Sequence, residues 1–143
     1  MDSTTLLDYS RKLLFVEAYT NIFLFGPLMF MFPKLLLDPQ YGENETPGVA
    51  AYEVFSWFGA MTVGGSFFLL RSLQNGGQAE KIALQSFLIM DCTFLPSFML
   101  VRCSKLLNAA NVFNLVYGVA LMIARIIILS LTSTTSKTSK NAP

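Results

Sequence analysis

Three charged side chains lie deep inside long, mostly apolar stretches of the sequence: Glu17, Asp91 and Arg125. Two carboxyl groups can serve as general acid and base toward a bound substrate, and a neighbouring guanidinium can orient that substrate. The same three groups can instead neutralise one another as a structural ion pair that fixes how helices meet. The residue types leave both interpretations open, so the elements that carry them determine which chemistry is within reach.

Four long apolar segments carry these residues, and each is close to the roughly 20 residues that a helix needs to cross a bilayer. They cover residues 13–32, 51–70, 82–101 and 109–131. Charged residues make up only 13% of the chain, against about 25% in a typical soluble domain. A soluble helix also needs a polar face, and the last two segments have only scattered polar residues. The sequence therefore predicts an all-α fold, a four-helix transmembrane bundle.

The domain organisation follows from the same pattern. Residues 1–132 are predicted to form one domain of four transmembrane helices, and residues 133–143 a disordered polar tail of Ser, Thr and Lys. Basic residues are more numerous on the side of the membrane that holds the amino terminus than on the opposite side, which predicts that both termini lie in the cytosol. The six on that side and the three on the other are Arg11, Lys12, Arg71, Lys81, Lys137 and Lys140, against Lys34, Arg102 and Lys105.

Polar residues within the segments are expected to face the inside of the bundle, because lipid offers them no partner. The fourth segment shows this most clearly, with a single helical face formed by Asn111, Asn114, Gly118 and Arg125. The first segment adds Glu17 and Asn21, and the third adds Asp91, Thr93 and Ser97. The second carries a stripe of Glu53, Ser56, Ala60 and Gly64, whose small residues let another backbone approach closely.

The depths of the charged residues predict how they pair. Glu17 lies about 6 Å and Arg125 about 9 Å inside the cytosolic ends of their segments, at the helical rise. Asp91 lies near the middle of the third segment, within reach of a long guanidinium side chain. An unpaired arginine at such depth costs at least about 2.5 kcal/mol. The sequence therefore predicts that Arg125 is bound by Glu17, by Asp91 or by both.

The missing residue types narrow the chemistry further. The chain has no histidine, which excludes histidine-ligated haem, histidine metal centres and histidine acid–base catalysis. Cys92 and Cys103 do not have the spacing of a redox pair or a zinc site. A net charge of +1 provides no basic surface for nucleic acid. Neither a metal nor a cofactor is expected, and the glycosylation sequon at Asn44 is followed by Pro47, which disfavours its modification.

A resemblance to a known family rests on the second segment and on the layout of the chain. Residues 57–62 read WFGAMT, which contains an aromatic-Gly-x-x-Thr pattern. This pattern, with four apolar segments in a chain of this length, resembles the small ergosterol-pathway scaffold proteins of the endoplasmic reticulum. Met61 departs from that family, which has a tryptophan before the threonine. The resemblance implies a non-catalytic tether in the endoplasmic reticulum that gathers lipid-modifying enzymes.

Two hypotheses for the function follow. The first is a scaffold or accessory subunit for membrane-bound enzymes of lipid or isoprenoid metabolism, in contact with membrane lipids and other integral membrane proteins. The second is a small membrane enzyme, of the cyclase or isomerase type, acting on a hydrophobic molecule such as an isoprenoid, sterol or polyketide. There Glu17 and Asp91 would be the acid–base residues, and Asn21, Asn114 and Arg125 would bind the substrate.

A structural feature separates the two hypotheses. A membrane-embedded cavity of roughly 300 Å³ or more, reached by Glu17 or Asp91, favours the enzyme. A filled core with an exposed ridge at Ser56, Ala60 and Gly64 favours the scaffold, because an exposed ridge of small residues can receive a helix of another protein.

Overall fold

The computed structural model describes residues 2–41, 45–99 and 108–140. Within these ranges the chain is 92% helical and contains no strand, so the all-α prediction is confirmed. Asn44, Arg102, Cys103 and Lys105 lie outside the described residues, and what the sequence predicts for them stays a prediction.

The first apolar segment belongs to one long helical stretch. It begins as helix α1 (Ser3–Thr20), passes through a π-helical turn (Asn21–Phe25) and ends as α2 (Gly26–Met31). A short helix α3 (Pro33–Leu37) and a 3₁₀ turn (Asp38–Gln40) follow, within the first predicted loop. The other long helices are α4 (Val49–Asn75), α5 (Gly77–Phe98) and α6 (Ala109–Lys140).

Among the described residues, three helical stretches are long and apolar enough to cross a membrane: Ser3–Met31, Val49–Asn75 and Ala109–Thr132. The chain therefore has the character of a membrane protein with several spans. Helix α5 is less apolar, since Glu80, Lys81 and Asp91 interrupt it, and the predicted segment 82–101 extends beyond the described part of the chain. Four membrane-spanning helices thus stay a prediction.

The backbone of α6 is helical to Lys140, which includes most of the predicted polar tail.

The long helices pack in a closed order that brings chain-distant residues together. Helix α1 packs against α4 and α6, and α5 also packs against α4 and α6. Their shared core contains Leu14, Leu69, Leu84 and Ile128, each at most 1% exposed. These residues lie at the end of the bundle that holds the start of α1 and α5, so the most tightly buried layer surrounds the predicted cytosolic half.

The connection between α4 and α5 is shorter than the interval 71–81 that separates the second and third apolar segments. Helix α4 runs to Asn75 and α5 begins at Gly77, with one residue between them. Gly76 and Gly77 have φ angles of 66° and 61°, a left-handed conformation that glycine adopts without steric cost. Two glycines therefore reverse the chain, and residues 78–81 are free to form the first turn of α5.

The π-helical turn is explained by the proline that follows it. The ring of Pro27 would clash with the carbonyl group four residues earlier in a regular α-helix. The wider turn removes this clash, and the Gly26 N–H donates to the carbonyl of Asn21, five residues back. A Cβ atom on Gly26 would lie 2.5 Å from that carbonyl oxygen. Gly26 and Pro27 are thus accommodated by a π turn within a continuous helical stretch.

Helix α2 meets α4 by direct backbone contact. A Cβ atom on Gly59 would lie 2.6 Å from the backbone nitrogen of Phe30 and 2.8 Å from the carbonyl oxygen of Gly26. Only glycine fits such a contact without displacing one helix. Gly26 and Gly59 therefore set the distance between the first and second apolar segments.

Candidate functional site

Arg125 joins three helices through its guanidinium group. Its Nη2 donates to both carboxylate oxygens of Glu17, at 2.5 and 2.6 Å. Its Nη1 donates to Oδ2 of Asp91, at 2.5 Å. Glu17 lies on α1, Asp91 on α5 and Arg125 on α6. The predicted pairing is confirmed, and Arg125 holds both carboxylates; we call these three residues the ion triad.

The members of the ion triad differ in burial. Arg125 is 1% exposed and Glu17 is 4% exposed, whereas 18% of the Asp91 side chain remains accessible. The ring of Phe87 covers the guanidinium, with its centroid 5.2 Å from Cζ of Arg125, a cation–π geometry. Breaking such a buried pair is costly because an uncompensated charge remains in an apolar surrounding.

Small and aliphatic residues on both helices let α1 and α6 come close enough for this contact. Leu14 and Ala18 flank Glu17 on α1 and are fully buried. Ala124 and Ile128 belong to the same buried cluster beside Arg125. Because α1 and α6 carry these residues at matching levels, the apolar packing holds the two charged side chains at one height.

The ion triad is not balanced in charge. Two ionised carboxylates and one guanidinium sum to a formal charge of −1. Both oxygens of Glu17 are occupied by Arg125, but Oδ1 of Asp91 receives no hydrogen bond from the described residues. Asp91 is therefore the member of the ion triad with one carboxylate oxygen outside the pairing with Arg125.

Asn111 is buried, as predicted, but it serves another part of the fold. Its side-chain amide donates to the carbonyl oxygen of Gln40 at 3.2 Å. The neighbouring Asn108 accepts from the Asn111 N–H at 2.8 Å, as a helix N-cap does, and donates to the carbonyl oxygen of Pro39 at 2.7 Å. These contacts tie the 3₁₀ turn to the start of α6, far from the ion triad.

The structure does not bring the other two predicted binding residues to Arg125. Asn114 is half-buried, and 11 residues of α6 separate it from Arg125, about 16 Å along the helix. Asn21 is half-buried in the π turn, one helical turn beyond Glu17. Neither side-chain amide forms a hydrogen bond with the residues that the structure describes. Binding roles for Asn21 and Asn114 stay predictions, and a role for Asn114 beside Arg125 has no geometric support.

The predicted inward stripe of the second segment faces outward. Glu53, Ala60 and Gly64 are exposed, and a Cβ atom on Gly64 would meet nothing within 4 Å. The inner face of α4 is formed instead by Gly59, Ser66, Leu69, Leu70, Ser72 and Leu73. The sequence could not settle the direction, because α4 has apolar residues on all sides.

Two hydroxyl residues of α5 also face outward, against expectation. Thr93 donates to the carbonyl oxygen of Met90 at 2.8 Å, and Ser97 donates to that of Thr93 at 2.8 Å. A hydroxyl group that bonds to its own helix needs no partner in the bundle interior. These residues therefore lie on the exposed surface without an unsatisfied donor.

An ion pair between Arg11 and Glu80 was missed by the sequence analysis. Nε and Nη2 of Arg11 donate to the two carboxylate oxygens of Glu80, at 3.0 and 2.8 Å. The Glu80 side chain is 6% exposed and that of Arg11 is 42% exposed. Residues outside the apolar segments have water as an alternative partner, so no sequence signal pairs them. This contact joins α1 to α5 near the core.

Neither of two cavities found among the described residues reaches the ion triad. An open groove of about 670 Å³ is lined by residues of the first connection, among them Phe32, Lys34 and Asp38. A more enclosed cavity of about 340 Å³ is lined by residues of α1, α5 and α6, including Arg11 and Glu80. Glu17 and Asp91 line neither of them.

Comparison with protein-family profiles, curated proteins and solved structures finds no match for this chain.

Proposed function

We propose that this chain is a non-catalytic scaffold or accessory subunit for membrane-bound enzymes that modify lipids or isoprenoids. The observation that carries this proposal is the outward ridge of α4, formed by the exposed Ala60 and Gly64 together with the half-buried Ser56. Gly64 has open space where a side chain would stand, and Trp57 and Met61 beside the ridge are 73% and 72% exposed. Small residues flanked by large apolar ones give a partner helix both close backbone approach and contact area.

The ion triad supports the same proposal. Both oxygens of Glu17 accept hydrogen bonds from a buried guanidinium, and the residue is only 4% exposed, so this carboxylate is engaged inside the core. A clasp of this kind fixes the register of three helices and so keeps an outer surface in one shape. The charged residues of the core are then structural, and recognition belongs to the exterior of the bundle.

The proposal includes a membrane arrangement. All four long helices cross the membrane of the endoplasmic reticulum, with α5 as the fourth span. Both ends of the chain face the cytosol. Two observations support the arrangement. Asp91 of α5 lies at the level of Arg125, inside the apolar layer, and basic residues are more numerous at the cytosolic ends of the helices. The organelle rests on the resemblance to the ergosterol-pathway scaffold proteins.

Purification from the native membrane in mild detergent tests the scaffold proposal. The chain is expected to bring along an integral membrane enzyme in a fixed ratio, and Gly64→Leu should abolish that association by filling the ridge. Cys92→Leu is the matched control, since Cys92 is a small exposed residue on α5. Equal recovery of the enzyme with Gly64→Leu and with the unaltered chain would contradict the proposal.

A second candidate is an enzyme of the cyclase or isomerase type, acting on a hydrophobic substrate with Glu17 and Asp91 as acid–base residues. The observation that favours it is Oδ1 of Asp91, which lies outside the pairing with Arg125 on a side chain that keeps 18% of its surface accessible. The double variant Glu17→Leu with Arg125→Leu separates the candidates. If this variant folds, an enzyme loses all turnover of its substrate, whereas a scaffold still recovers its partner.

A further inference from the structure

The more enclosed cavity lies between the first turn of α5 and the facing sides of α1 and α6. Its volume is about 340 Å³, and its lining includes Arg11, Glu80, Lys81, Leu84, Ile128 and Thr132. The two residues deepest in the bundle, Leu84 and Ile128, are at most 1% exposed. The cavity thus has charged walls at its entrance and an aliphatic floor.

The charged walls leave donors available for an anion. Glu80 occupies Nε and Nη2 of Arg11, which orients the guanidinium while Nη1 forms no hydrogen bond with the described residues. Lys81 is exposed and has no acidic partner in the part of the chain that the structure describes. Two cations and one carboxylate give the cavity a formal charge of +1. Guanidinium and ammonium donors of this kind bind phosphate oxygens.

The depth of the cavity matches the headgroup layer of a bilayer. Arg11, Lys81 and Thr132 each lie one or two residues outside an apolar segment, while Leu84 and Ile128 lie inside one. At this depth the anionic phosphate of a lipid can enter the cavity while its hydrocarbon chains stay in the apolar layer. On the membrane arrangement proposed above, we infer that this cavity binds the headgroup of one anionic phospholipid, with its phosphate at Arg11 and Lys81 and its chains in the surrounding bilayer.

Native mass spectrometry of the full chain in detergent tests this inference, with dioleoyl phosphatidic acid as the probe and dioleoyl phosphatidylcholine as the neutral lipid. Phosphatidic acid should be retained as one molecule per chain and in preference to phosphatidylcholine. Lys81→Gln should weaken its binding about fivefold, the effect of one basic residue at an anionic surface. Arg71→Gln is the matched control: Arg71 is exposed at the same end of the bundle and does not line the cavity.

Three results would overturn the inference. Equal weakening by Lys81→Gln and Arg71→Gln would mean general attraction to a basic surface. Equal retention of both lipids would remove the role of charge. Displacement of phosphatidic acid by inorganic phosphate at an equal concentration would identify a site for soluble phosphate. Because Lys81 is exposed and unpaired among the described residues, Lys81→Gln is expected to fold; an unchanged melting temperature in detergent checks this.

Discussion

Arg125 and Glu17 are 108 residues apart in the chain, yet Nη2 of Arg125 donates to both carboxylate oxygens of Glu17 inside the core. The contact is fully buried on both sides. In an apolar surrounding neither charge has water to replace its partner, so the pair joins α1 to α6 more firmly than an exposed pair would. Asp91 on the same guanidinium extends the connection to α5.

Arg125→Lys tests the forked geometry of this contact while keeping the charge. An ammonium group is compact and cannot serve two carboxylates with the planar fork of a guanidinium. We expect a loss of about 1.5–3 kcal/mol in the free energy of unfolding, the value of a hydrogen bond to a charged group. Denaturant unfolding in detergent measures it. Arg71→Lys, at an exposed position, is the control and should leave stability unchanged; equal effects of the two would contradict the prediction.

Asp91→Asn should destabilise the protein less than Glu17→Gln does. Asp91 accepts one hydrogen bond from Arg125 and keeps 18% of its side chain accessible, whereas Glu17 accepts two and is buried. The asparagine variant also leaves a neutral pair of Arg125 and Glu17 in the core. Melting temperatures of both variants in one detergent compare them. A larger loss for Asp91→Asn would mean that Asp91 is the principal partner.

Gly26→Ala should disrupt the contact between α2 and α4. The added methyl group would lie 2.5 Å from the Asn21 carbonyl oxygen and 2.5 Å from Cγ2 of Val63, so one helix must move. Overpacking of this kind costs about 1–3 kcal/mol. Gly64→Ala is the matched control, because its methyl group enters open space. Thermal unfolding distinguishes them, and equal stability of the two variants would show that the helices are not in backbone contact.

Asn108→Ala should loosen the first connection. The substitution removes the cap of α6 and the hydrogen bond to the Pro39 carbonyl oxygen, and loss of a cap alone costs about 1 kcal/mol. Amide hydrogen exchange over residues 33–41 is expected to become faster, with exchange in the core around Leu14 unchanged. Tyr52→Phe, which removes the hydroxyl bonded to Asp38, gives a second test at the same turn. Unchanged amide hydrogen exchange over residues 33–41 in both variants would show that the side chains of Asn108 and Tyr52 do not stabilise this connection.

The ion triad was predictable because the membrane limits the alternatives. The helical rise fixes the depth of each charged residue, and lipid leaves a buried arginine no partner except a carboxylate at its own level. Glu17 and Asp91 were the carboxylates that met this condition. The same reasoning placed Asn111 in the interior, although its partner, the carbonyl of Gln40, could not be named because it belongs to an irregular turn.

Other parts of the fold could not be read from the sequence for physical reasons. Ala60 and Gly64 face outward, and the sequence does not predict this. Because α4 has apolar residues on all sides, a stripe of small residues marks one helical face but does not show whether that face points inward or outward. Arg11 and Glu80 lie outside the apolar segments, where water competes for both charges and depth alone selects no partner. Gly59 forms the close helix contact, yet it differs from Gly64 only in its surroundings.

The most direct test of the buried clasp is a double-mutant cycle of Glu17→Leu and Arg125→Leu, followed by denaturant unfolding in detergent. We expect Arg125→Leu to lose about 3–5 kcal/mol, since it leaves two carboxylates without their cation. Glu17→Leu should lose less, since Arg125 keeps its pairing with Asp91. The double variant should be less destabilised than the two losses added together, with a coupling of at least about 2 kcal/mol. Losses that simply add would mean that the two residues do not stabilise each other, and the clasp would be contradicted.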